Sequence, residues 1–166
     1  MIDSKDILSA VMEDAELLAK LQEEGANLRE VTMSEKWNFL HLGLLLPRGH
    51  PQIESIRVLL NAGVAVNAID VYGNTPLYYA VRQKNQDAVR VLLKAGADVN
   101  GINGNGVTPL REALASAQVN LQVIKLLLTA GADPDHVLSS GRTILEVARN
   151  SFKGNDEVLS LFESRL

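Results

Sequence analysis

Cysteine is absent from the 166 residues, so neither a disulfide nor a thiolate metal site can form. Aromatic residues supply only 4% of the chain against 46% hydrophobic overall, so burial must come from Leu, Ala, Val and Ile. That balance suits close-packed short helices and excludes disorder as the main description. No apolar run approaches the roughly 20 residues that a membrane-crossing helix needs; Leu42–Leu46 is far shorter. The start Met1-Ile2-Asp3-Ser4-Lys5-Asp6 lacks the basic stretch and apolar run of a secretory signal. A soluble chain at a cytoplasmic address, with no membrane partner, is the expectation.

Basic residues are scarce at one end. Residues 1–36 carry nine acids and four bases, while the remaining chain holds eleven acids and twelve bases, for a net charge of −4. An acidic end opposes nonspecific nucleic-acid binding, which needs phosphate neutralisation. It suits either a solvated outer face or a basic partner.

What is abundant is repetition. Gly73-Asn74-Thr75-Pro76-Leu77 returns as Gly106-Val107-Thr108-Pro109-Leu110, with 33 residues from Thr75 to Thr108. Weaker echoes are Asn38-Phe39-Leu40-His41 and Gly141-Arg142-Thr143-Ile144-Leu145. A second phrase keeps the beat: Leu59-Leu60-Asn61-Ala62-Gly63, Leu92-Leu93-Lys94-Ala95-Gly96 and Leu127-Leu128-Thr129-Ala130-Gly131. Gly25, Gly63, Gly96 and Gly131 are spaced by 38, 33 and 35 residues.

One unit reads as local chemistry. Asp70-Val71-Tyr72-Gly73-Asn74 is a turn, with Asx side chains to bond the backbone and Gly to take positive φ. Thr75 is an N-cap, and Pro76 occupies the first helical position, where its missing N–H costs nothing. Leu77, Ala80 and Val81 line one short helix, and Lys84-Asn85 ends it. A second helix turns Ala88, Val89, Val91, Leu92 and Leu93 inward and Asp87, Arg90 and Lys94 outward. Gly96 stands where a C-terminal glycine belongs. Neither helix is long enough to stand alone, so stability must come from stacking.

Five units follow within one domain: 4–33 as an N-terminal cap, 34–67, 68–100 and 101–135 as repeats, and 136–166 as a C-terminal cap. Three inter-helix connections are lengthened: Leu45-Leu46-Pro47-Arg48-Gly49-His50-Pro51, Ala115 to Leu121, and Asn150 to Asp156. All three should project on the same face, as a contact surface or as loop drift.

A period near 33 carrying T-P-L is the signature of ankyrin repeats, and the chain resembles that family over nearly its whole length. The resemblance implies an all-α solenoid of stacked helix pairs with β-turn fingers. It gives Thr75, Pro76, Leu77 and Thr108, Pro109, Leu110 structural roles. The family's usual His after Leu persists only as His41; Tyr78, Arg111 and Glu146 replace it, which leaves Arg111 partly exposed and open to a partner. Lys84 stands where the family usually has a helix-ending Gly.

Family members bind other proteins through fingertips and first helices. By position this marks Ile69, Val71, Tyr72 and Asn74, then Ile102, Gly104, Asn105 and Val107, then Val137, Ser139, Ser140 and Arg142. Arg82, Gln83, Ala115 and Ser116 extend the surface along the first helices, and Glu35 and Trp37 continue it at the N-terminal end. Tyr72, Arg82, Arg142 and Trp37 are the expected anchors, with Trp37 equally suited to covering the N-terminal junction. The compact style, with Asp133-Pro134-Asp135, is similar to bacterial ankyrin proteins that act as immunity proteins by occluding a toxin's active site. The resemblance therefore implies a monomeric, non-catalytic module binding one protein, such as a secreted toxin. A scaffold bridging several partners is the alternative.

Catalytic and ligand-binding patterns are weak. His41, His50 and His136 lack the spacing of a helical zinc site, and a surface site of His136 with Asp133 and Asp135 is outweighed by a solvated turn. Gly101-Ile102-Asn103-Gly104-Asn105-Gly106 lacks the G-K-[ST] ending of a phosphate loop. Its glycines are expected to allow positive φ or the close approach of a partner. The adjacent carboxylates Glu23-Glu24 and Asp156-Glu157 point apart on a helix. No cofactor, metal or catalytic residue is assigned.

Overall fold

The computed structural model describes residues 3–45, 51–115 and 118–163. Residues 46–50 of the first lengthened connection, His50 included, and Ser116 of the expected first-helix surface lie outside those ranges.

Ten helices occur among the described residues, in five pairs. They are α1 (Ser4–Glu13) with α2 (Ala15–Glu23), α3 (Phe39–Leu45) with α4 (Ile53–Asn61), α5 (Pro76–Arg82) with α6 (Gln86–Lys94), α7 (Pro109–Ala113) with α8 (Leu121–Thr129), and α9 (Ile144–Ser151) with α10 (Asp156–Glu163). Each of the five units read from the repeat holds one pair.

Capping chemistry sets where the helices begin. Thr75, Thr108 and Thr143 accept from the amides of Tyr78, Arg111 and Glu146 respectively, and Thr143 with Glu146 completes a capping box. Asn85 and Asn120 cap α6 and α8 in the same way. In the acidic N-terminal unit, Asp3 and Asp14 cap α1 and α2, so part of that charge is used locally. Gly25, Gly63, Gly96 and Gly131 follow the second helix of each of the first four units, at φ +93°, +81°, +86° and +94°. That is the left-handed stop that Gly takes without strain. Lys84 adopts the same region at φ +56°, doing a glycine's work with a side chain attached.

The pairs stack in two layers. First helices pack in sequence, α1 on α3, α3 on α5 and α5 on α7, while second helices run α2, α4, α6, α8, α10. The core between the layers is aliphatic: Leu18, Leu59, Leu77, Leu92, Ile124, Leu127 and Ile144 are fully buried. Tyr79 joins them, which the apolar pattern of α5 does not foretell. Leu93 is only half-buried: it packs against the core and also faces the groove between α6 and α8. With helices of five to ten residues, burial between units is what holds each one.

The described lengthened connections run between the two helices of a unit. Among the described residues the only strand-like pairing is the bridge of Val137 with Thr143. No helix among them is long and apolar enough to cross a membrane.

Candidate functional site

The turn before each first helix is built around one Asx residue. The Asp70 carboxylate accepts from the Tyr72 amide at 2.9 Å and the Asn74 amide at 2.8 Å, which folds the finger back on itself. It also accepts from the Tyr79 hydroxyl at 2.6 Å and the Trp37 indole Nε1 at 3.1 Å. Burial alone would push this carboxyl up. The hydrogen bonds from Tyr79, Asn74, Trp37 and Tyr72 outweigh burial and hold it below the ordinary Asp range. Tyr79 is pushed the other way, to about 12, by burial and by donating to Asp70.

Asn103 repeats the design one unit later. Its side-chain oxygen accepts from the amides of Asn105 and Val107, both at 3.0 Å. Its amide group donates to the Asn74 side-chain oxygen at 2.9 Å, joining the two fingers. Backbone bonds tie the row together: Val71 N–H donates to Glu35 at 3.1 Å, and Gly104 N–H to Tyr72 at 2.8 Å. The fingers approach so closely that a Cβ on Gly104 would stand 2.9 Å from the Tyr72 carbonyl oxygen. The close approach expected at this glycine-rich stretch is therefore made by the neighbouring finger.

A second ladder runs on the loops that follow the second helices. Asn67 donates to the Gly96 carbonyl and accepts from the Asp98 amide. Asn100 does the same with Gly131 and Asp133. These bonds pin the 34–67 unit to the 68–100 unit, and that unit to the 101–135 unit, at a second point.

This framework leaves apolar side chains at the tips. Ile69, Ile102 and Val137 recur on successive fingers at 61%, 53% and 60% exposure, with Val71 at 47% and Tyr72 at 56% beside the first. Apolar side chains left this open at one recurring position form an aligned row. Arg82, Asn105, Ser139, Ser140 and Arg142 are exposed along the same units, while Gln83 and Val107 are half-buried. Gln83 reaches back to the Leu45 carbonyl at 3.4 Å. Arg111 is half-buried, as its place in α7 leads one to expect.

Two expected contacts are placed differently. Asn74 is buried, held by Asp70, Tyr79 and Asn103, so its side chain serves the framework and is not part of the open tip. Trp37 is half-buried, its indole N–H spent on Asp70, and it lines a groove of about 200 Å³ with Leu8, Phe39, Leu42 and Val31. It covers the junction with α1 and offers only part of its ring outward.

Positions that usually carry His divide the bridging between them. Burial keeps His41 below its ordinary pKa; its Nε2 lies 3.2 Å from the Asn74 carbonyl oxygen of the next unit, and its Nδ1 lies 2.8 Å from the Asn38 side-chain oxygen. Tyr78 donates to Glu112 in the next unit at 2.9 Å. Glu146 turns to capping instead. The sequence reading gave the Asp70 turn its Asx bonds to the backbone, but missed that Asp70 also gathers Tyr79 and Trp37, and missed Tyr79 and Asn103 as organisers. One signal was available: Asp70 precedes Thr75, and Asn103 precedes Thr108, by the same five residues.

Among the described residues no group of three or more His, Asp or Glu is placed to hold a metal ion. His136 is half-buried at the base of the last finger, its carbonyl accepting from Ile144.

No curated protein matches the sequence. The family description ankyrin repeats (3 copies) matches residues 7–103, and ankyrin repeats (many copies) matches residues 82–128. With more than half the chain matched, and with stacked helix pairs carrying bonded fingers, the chain belongs to the ankyrin-repeat family, a family of protein–protein interaction modules.

Proposed function

We propose that this chain acts as one domain that neutralises a single cognate protein, such as a secreted bacterial toxin, by covering the surface that protein needs for its activity. The observation that carries the binding surface is the row Ile69, Ile102 and Val137, with Val71 and Tyr72 beside it, exposed at one recurring position, the first two on fingers whose backbones are bonded to each other. Apolar and aromatic side chains on a prearranged backbone bind without a large ordering cost. Tyr72 is the natural anchor, with Arg82 and Arg142 as charged flanks. Asn105, Val107, Arg111, Ser140 and Gln83 complete the surface, and the outer edge of Trp37 ends it. Steric block asks nothing more of the chain than a rigid face of matching shape. The toxin as target rests on the similarity in style to immunity proteins.

The test is capture from the source lysate on this chain, beside a control carrying Ile69→Asp, Tyr72→Ala and Ile102→Asp. One stoichiometric partner, absent from the control and inactive when mixed with the wild-type chain, is the expected result. Several substoichiometric partners would turn the reading to a scaffold. A partner held equally by both chains would remove the fingertips from the site.

A further inference from the structure

The outer layer carries a second surface that the fingers do not share. Between α6 and α8 lies an open groove of about 480 Å³, lined by Arg90, Leu93, Lys94, Lys125, Leu126 and Thr129 among others, with no acidic residue in the lining. Half-buried Leu93 and Leu126 supply apolar surface, and the exposed cations Arg90, Lys94 and Lys125 surround it. Arg90 and Lys94 are four apart on one helix and so share a face. Lys125 stands on the neighbouring helix.

The charge is local and unanswered. The chain as a whole has a net charge of −4, so this cluster is not the residue of a general basic excess. On other second helices Lys20 pairs with Glu24 at 3.8 Å and Arg57 with Glu54 at 3.1 Å. Among the described residues none of the three groove cations has a carboxylate within pairing distance. Helix α8 contains no acid, and the acid of α6, Asp87, does not line the groove. A helix pair that merely faced water would lose little by pairing such charges along its own surface, as α2 and α4 do.

We propose that this outer groove is a docking site for an acidic peptide segment with an apolar anchor, independent of the fingertip surface. The anchor would rest on Leu93 and Leu126, and its flanking carboxylates would meet Arg90, Lys94 and Lys125. Charge complementarity selects that occupant: neutral peptide leaves the cations unmatched, and a simple anion leaves the leucines bare.

Fluorescence anisotropy tests it with a labelled twelve-residue peptide of Asp and Glu around two leucines. Comparison peptides carry Asn and Gln in place of the acids, or Ser in place of the leucines. The expected result is saturable 1:1 binding that weakens about tenfold or more in R90E/K125E, both sites being exposed, and that weakens with either comparison peptide. A control chain with Ile69→Asp and Ile102→Asp should bind the acidic peptide unchanged. Absence of saturable binding would overturn the proposal, as would full affinity in R90E/K125E or loss in the fingertip control. Equal binding of the leucine-free peptide, or displacement by tripolyphosphate at matched charge, would reduce the groove to an unselective anion site and overturn it as well.

Discussion

Trp37 donates its indole N–H to the carboxylate of Asp70, 33 residues further along the chain, at 3.1 Å. One unit's only tryptophan thereby helps to fix the next unit's finger. The same carboxylate holds Tyr79 in the core and the Tyr72 and Asn74 amides at the turn, so the exposed tip and the buried layer share one anchor.

Asp70→Asn should therefore cost about 1–3 kcal/mol at pH 7, the range for leaving buried donors poorly paired. Because Asp70 is held below its ordinary pKa, its contribution is fully present above the unfolded value, about 3.9, and is lost as pH falls through the folded value. Urea unfolding of both chains at pH 7 and pH 3 checks this: the difference between them should shrink at the lower pH.

Tyr78 and Tyr79 are both raised to about 12, by burial first and by donation to Glu112 and Asp70. For a raised group the stabilisation is present below the unfolded pKa, about 10, and disappears as pH climbs through the folded one. Stability should hold to about pH 10 and then decline toward 12. Ultraviolet titration at the tyrosinate band, run beside circular dichroism, should show these two ionising late, together with loss of helix.

Neighbouring finger residues should respond in opposite ways. Tyr72→Ala, at an exposed tip, should change stability by less than about 0.5 kcal/mol and weaken partner binding. Asn74→Ala, inside the bonded framework, should cost about 1–3 kcal/mol. Thermal melts and affinity measured on both variants separate the roles; a large melting change in Tyr72→Ala would count against the tip assignment.

Leu92 is fully buried on α6, and Leu92→Ala should destabilise by about 2–5 kcal/mol through lost burial and the cavity left behind. Equilibrium urea unfolding measures it.

Lys84 occupies a left-handed backbone position that costs a side-chain-bearing residue about 1–2 kcal/mol. Lys84→Gly should raise stability by up to about 1 kcal/mol once the greater freedom of unfolded glycine is subtracted. A lower melting temperature would show that the interactions of the Lys84 side chain outweigh the backbone strain.

The repeat, its helix pairs, its Thr caps and its four stopping glycines were legible in the residue order, because each depends on neighbours within one turn of chain. Ile69, Ile102 and Val137 were marked by the resemblance to the family's fingertips, and the structure leaves all three exposed. What only the tertiary structure decided were the contacts between units. Asn74 and Asn105 are both asparagines of a finger, yet one is buried against Asp70, Tyr79 and the neighbouring finger's Asn103, while the other, in the place Tyr72 holds one unit earlier, is exposed. Leu93 belongs to the apolar stripe of α6 by spacing, and only the position of α8 turns it into the wall of a groove. Local pattern fixes which backbone a segment prefers; whether a given side chain meets solvent or another unit depends on chain roughly 33 residues away, which no local rule contains.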